Sequence, residues 1–118
     1  MMNVLFVCTH HVVRSPMAAT LFSELEGQPN RHRVRSVGLA PGASRRLTTR
    51  ELAWADVVVV MEAAHLALIA KHWPPQVAKV RLLDVPDDYD QGEPDLRALL
   101  IPKLRDLLTE LDAVPVQR

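Results

Sequence analysis

Cys8, Arg14 and Ser15 are the residues of this chain whose types and spacing could do chemistry together. Cys8 is the only cysteine, and it stands in the pattern Cys-x5-Arg-Ser-Pro. A thiolate is a strong nucleophile. An arginine fork can grip two oxygens of a phosphate at once, which a lysine cannot. A nucleophilic sulfur beside an oxyanion clamp is what cleavage of a phosphate ester through a phosphocysteine requires.

The flanking elements must hold these groups in place. Val4-Leu5-Phe6-Val7 is apolar and bulky, which predicts a strand buried on both faces and ending on Cys8. Ser15-Pro16 predicts a helix start, with Ser15 as cap and Pro16 at the first helical position. Thr9, His10, His11, Val12, Val13 and Arg14 would then form a loop over a helix N-terminus. Such a place offers unpaired backbone N–H groups and a partial positive charge to a phosphate. The same field, with a neighbouring arginine, favours the anionic form of a thiol.

With the strand in front and Ser15-Pro16-Met17-Ala18 behind, this stretch resembles the signature of the low-molecular-weight protein tyrosine phosphatases. Ser36-Val37-Gly38, Val60-Met61-Glu62 and Val85-Pro86-Asp87-Asp88-Tyr89 continue the resemblance in the family's order. The resemblance implies that Cys8 attacks phosphorus while Arg14 and the loop amides hold the oxygens. It implies that Ser15 donates a hydrogen bond to the thiolate and that Ser36 braces the loop. It also implies a carboxylic acid that protonates the leaving oxygen and then activates water. The family shows Asp-Pro-Tyr at that point. Asp87-Asp88-Tyr89 keeps its first and third residues, so Asp87 is preferred over Asp88 as the general acid, and Tyr89 is a candidate to stack on an aryl substrate.

The loop departs from the family pattern in two places. His10-His11 replaces the usual Gly-Asn, and Val13 stands where many members carry a second cysteine. Histidine tolerates a left-handed backbone better than most residues. Without a cysteine at position 13, Cys8 has no neighbour for a protective disulfide. Peroxide should therefore over-oxidise it, and thiol should fail to restore activity after strong treatment. Recovery of full activity would refute that expectation. A metal on Cys8, His10 and His11 is a weaker alternative, because zinc pairs are usually spaced more widely. His65 and His72 read as ordinary surface or boundary residues, and Asp90, Glu93 and Asp95 as a solvated acidic loop, with Asp95 as cap of the last helix.

The chain's 118 residues are expected to form one domain. Hydrophobic residues make up 48% and charged residues 24%, a globular composition. Fourteen basic residues balance 14 acidic ones, which argues against nucleic acid or an anionic membrane as the main partner. A single cysteine fits a reducing cytoplasm. The apolar stretch after Met1-Met2-Asn3 has no basic region before it and is too short for a signal peptide or a membrane span.

Taken in order, the sequence predicts helices from Pro16 to Glu26, after the capping box Thr48/Glu51, from Glu62 to His72, and from Asp95 to Leu111. It predicts further strands over His32–Val37, Asp56–Met61 and Lys79–Leu83. Pro102 should kink or break the last helix. The alternation implies an α/β fold, a four-stranded parallel sheet with helices on both faces. The carboxyl edge of such a sheet is where ligands bind, and both Cys8 and Asp87 would lie there.

The leading expectation is a cytoplasmic phosphatase acting on phosphotyrosine protein or small aryl phosphates, with no cofactor or metal. At 118 residues the chain is short for the family, which implies trimmed loops around the cleft. Arsenate reduction with an external thiol, a non-catalytic phosphate-binding module, and a phosphocysteine carrier in sugar transport are the alternatives.

Overall fold

The structure, a computed structural model, describes residues 2–9, 14–26, 32–85 and 94–113. Its elements run β1 (Asn3–Cys8), α1 (Arg14–Leu25), β2 (Arg33–Gly38), α2 (Thr49–Trp54), β3 (Val57–Val60) and α3 (Ala63–His72). A 3-10 segment (Pro74–Lys79), β4 (Val80–Leu82) and α4 (Pro94–Ala113) follow. The expected four-stranded sheet is present, all parallel, in the order β2-β1-β3-β4. The 3-10 segment was not anticipated; Pro74 and Pro75 end α3, and the chain tightens rather than opening into a loop.

Strand alternation divides the core into two layers. Val4, Phe6 and Cys8 of β1, with Val57 and Val59 of β3, pack on Ala18, Leu21 and Phe22 of α1 and on Leu96, Leu100 and Leu104 of α4. Leu5 and Val7, with Val58 and Val60, face the other way, onto Leu52 of α2 and Ile69 of α3. Valine-rich central strands tolerate this because both of their faces are dry. β1 lies between β2 and β3, so the chain leaves it on one side and returns on the other. That reversal opens a crevice at the carboxyl end of β1, directly beyond Cys8.

Several local expectations need correction. α1 starts at Arg14, not at Pro16, which places Ser15 inside the first turn rather than at the cap. α4 starts at Pro94, so Asp95 is a first-turn residue whose charge suits the helix dipole, not the cap. α4 also runs without a break through Pro102. Pro102 is on the exposed face, where water can take the carbonyl that loses its N–H partner. Thr48 does cap α2, accepting from Glu51 N at 3.2 Å. The Glu51 carboxylate turns instead to Arg35 (3.4 Å) and Arg45 (3.5 Å), so the reciprocal half of the expected box gives way to ion pairs. The other end of α2 is closed by Lys79, whose ammonium donates to the carbonyls of Leu52 (2.5 Å) and Ala55 (2.8 Å); burial pushes its pKa down.

His32 ties three parts of the chain together. Its Nδ1 accepts from Met2 N at 3.0 Å and its Nε2 lies 3.1 Å from Asp112 Oδ1 on α4, while its ring packs near Phe22 of α1. It is buried, so removing the ring takes away the acceptor of the Met2 N–H. His32→Ala should lower stability by about 1–3 kcal/mol, read from the urea midpoint. An unchanged midpoint would show that the bridge carries no net stability.

Candidate active site

The site is assembled where β1 and β3 end. Cys8 is the last residue of β1 and is only 2% exposed. Its backbone is fixed on the β2 side: Leu39 N donates to Cys8 O (3.0 Å), and Ala40 N donates to Thr9 O (2.8 Å). Its Sγ lies 3.0 Å from Ser15 Oγ. The Ser15 hydroxyl is also 3.3 Å from the carbonyl of Val37, a neighbour to which it can donate. A serine has one hydroxyl proton, so the two contacts exclude each other as donations. With a neutral thiol, the hydroxyl can serve Val37 O and accept from sulfur. With a thiolate, the hydroxyl must turn to sulfur.

Arg14 is turned inward. It is 2% exposed, although a loop arginine would by default extend into water. Its Nη1 donates to the carbonyl of Val85 at 2.9 Å and pairs with Glu62 Oε2 at 2.9 Å; its Nη2 is 3.4 Å from Thr9 Oγ1. The guanidinium is thus aimed by three separate segments. Val85 is itself anchored, donating its N–H to Met61 O at 2.7 Å. The turn that brings it there passes through Asp84, at φ 60°, a left-handed conformation that aspartate accepts more readily than most residues.

Of the residues singled out from sequence, the structure brings Cys8, Thr9, Arg14 and Ser15 together. Ser36 sits on β2 in register with Phe6, two residues before Gly38, which pairs with Cys8. His10, His11, Val12, Val13, Asp87, Asp88 and Tyr89 lie outside the described residues. His72 is exposed near the end of α3, as expected.

His65 is not the ordinary surface or boundary residue that the sequence suggests. It is 4% exposed, and it accepts from Glu62 N through Nδ1 (3.1 Å) and meets Thr9 Oγ1 through Nε2 (2.9 Å). Glu62 was likewise not assigned a role. The available signal was its position at the exit of a central strand, on the same edge as Cys8, with a histidine three residues on.

Sequence comparison finds no matching family model and no similar curated protein. Solved structures do match. The chain is similar to a YwlE mutant from Bacillus subtilis, with 29% identity and a TM-score of 0.77, covering 95% of this chain and 99% of that one. It is similar to a cysteine-to-serine mutant of YwlE arginine phosphatase with a phosphorylated active-site serine, with 28% identity, a TM-score of 0.75 and coverage of 94% and 96%. It shares its fold with SP-PTP, the low molecular weight protein tyrosine phosphatase from Streptococcus pyogenes, at 18% identity, a TM-score of 0.82 and coverage of 94% and 93%. The chain has the fold of the low molecular weight protein tyrosine phosphatases. The resemblance carried by Cys8-x5-Arg14-Ser15-Pro16 is therefore matched by the three-dimensional fold. Among the described residues, no helix is long and apolar enough to cross a membrane.

Proposed function

We propose that this protein hydrolyses phosphate monoesters through a phosphocysteine, with Cys8 as nucleophile, Arg14 as the clamp on the transferring phosphoryl group, and phosphotyrosine protein or small aryl phosphates as substrates. The observation that carries the reading is the pairing of a buried Cys8 sulfur, hydrogen-bonded to Ser15, with a buried, inward-facing Arg14. In the first step sulfur attacks phosphorus and the P–O bond to the leaving group breaks. In the second, water attacks phosphorus, the S–P bond breaks and the thiolate is restored. Arg14 stabilises the charge on the equatorial oxygens in both steps. The amides of Thr9, His10, His11, Val12, Val13 and Arg14 are assigned to the remaining oxygens, and Ser36 to bracing that loop.

Asp87 is assigned as the acid for the leaving group and the base for water, and Tyr89 as a wall for an aryl substrate. The support is that the chain enters this loop from Val85, whose carbonyl accepts from Arg14, so the loop starts at the site. Asp87→Ala should lower kcat on p-nitrophenyl phosphate about 10²- to 10³-fold while Asp88→Ala changes it far less. The reverse order would move the role to Asp88, and two unchanged variants would remove it from both.

Phosphoarginine is a second substrate reading. It is favoured by the 28–29% identity to YwlE proteins, one of them described as an arginine phosphatase. A P–N bond needs protonation at nitrogen rather than at a phenolic oxygen, but the same sulfur and guanidinium serve. Side-by-side release of phosphate from phosphotyrosyl and phosphoarginyl peptides decides between them. Release from neither peptide nor p-nitrophenyl phosphate by folded wild-type protein would refute the phosphatase reading.

A further inference from the structure

We infer that His65 is a positioning residue for phosphoryl transfer, setting the Arg14 guanidinium through Thr9 and Glu62. The inference rests on the reading of Arg14 as the phosphate clamp. Four side chains close a ring: Arg14 Nη1 to Glu62 Oε2 (2.9 Å), Glu62 Oε2 to His65 Nε2 (3.4 Å), His65 Nε2 to Thr9 Oγ1 (2.9 Å), and Thr9 Oγ1 to Arg14 Nη2 (3.4 Å). Both terminal nitrogens of the guanidinium are therefore touched by groups that also touch His65.

The imidazole is suited to this by its tautomer and its mounting. Nδ1 accepts the Glu62 N–H, so the proton of a neutral ring sits on Nε2 and points at Thr9 Oγ1. That fixes the rotamer of Thr9, the residue directly after the nucleophile. His65 stands in the first turn of α3, and Ile69, one turn on, is fully buried against the sheet. Arg14 stands in the first turn of α1, on the opposite face of the sheet. The ring thus joins the two helical layers across the sheet edge where sulfur and phosphate would meet. An arginine fork binds a phosphate tightly only in one orientation, and a displacement of about 1 Å can cost on the order of 10² in rate.

A purely structural rival is that His65 only caps α3 by accepting the Glu62 N–H. Two variants separate the roles. His65→Asn retains a short acceptor where Nδ1 was, so the cap can persist, but it cannot reach Thr9. Thr9→Val keeps the shape of residue 9 and removes the hydroxyl. Each should lower kcat on p-nitrophenyl phosphate about 10- to 100-fold with melting temperature nearly unchanged. Each should also weaken orthovanadate, which mimics the transferring group, more than inorganic phosphate. The double variant should be no worse than the more damaged single, because both cut one path. Thr9→Ser should turn over faster than Thr9→Val.

Wild-type turnover and vanadate affinity in both single variants would overturn the inference and leave the phosphatase reading standing. So would losses that multiply in the double variant. If His65→Asn unfolds, Thr9→Val on its own still decides by the same readouts. A wild-type protein that neither turns over nor binds vanadate would sink both the inference and the phosphatase reading.

Discussion

Cys8→Ser will abolish hydrolysis of p-nitrophenyl phosphate, with kcat falling on the order of 10⁴-fold or more. The reason is the nucleophile itself. A serine hydroxyl is far less acidic than a thiol, so far less of it is the attacking anion at neutral pH. Serine differs from cysteine by one atom, so the buried position beside Ser15 and the end of β1 should be kept. Phosphate should still bind, because the clamp is unchanged. Steady-state kinetics with a phosphate-binding titration check both halves. A Cys8→Ser protein that turns over within tenfold of wild type would mean that sulfur is not the attacking atom.

Arg14→Lys will lower kcat/KM on the same substrate about 10³-fold, in the range known for arginines that stabilise phosphoryl transfer. Lysine keeps the charge and loses the planar fork, so it can hold one oxygen where arginine holds two. It also cannot satisfy Val85 O, Glu62 and Thr9 at once as the guanidinium does. Keeping a cation is deliberate: an alanine would leave Glu62 without this partner and confound activity with folding. Vanadate affinity should fall in parallel with kcat/KM. A loss smaller than tenfold would show that the fork is not what binds the transferring group.

Much of this arrangement is legible in the sequence alone. The runs Val4–Val7 and Val57–Val60 read as buried parallel strands because they are short, apolar and mostly β-branched, and no helix of that length would be stable. The leucines of α4 read as one face because Leu96, Leu100, Leu104, Leu107 and Leu111 recur at helical spacing, and all five are buried. Cys8, Arg14 and Ser15 were legible because they are close in sequence.

What was missed was missed for physical reasons. Pro102 was read as a breaker because a proline removes one helical hydrogen bond; on a solvated face that loss is offset by water, and burial of the leucine face holds the helix together. Ser15-Pro16 puts the helix start two residues late because the same pair fits either the cap or the first turn. His65 and Glu62 were missed because their role is tertiary. Their partners lie 56 residues away at Thr9 and on the far side of the sheet at Arg14, and no spacing rule in a single sequence connects them.

The most direct test of the account is to trap the covalent intermediate. Wild-type protein is mixed with phosphate-labelled p-nitrophenyl phosphate, quenched within the first turnovers, digested and mapped. One phosphoryl group per chain is expected, on the sulfur of Cys8. A turning-over enzyme with no trapped phosphoryl group, or with the label on a histidine such as His10, His11 or His65, would contradict it.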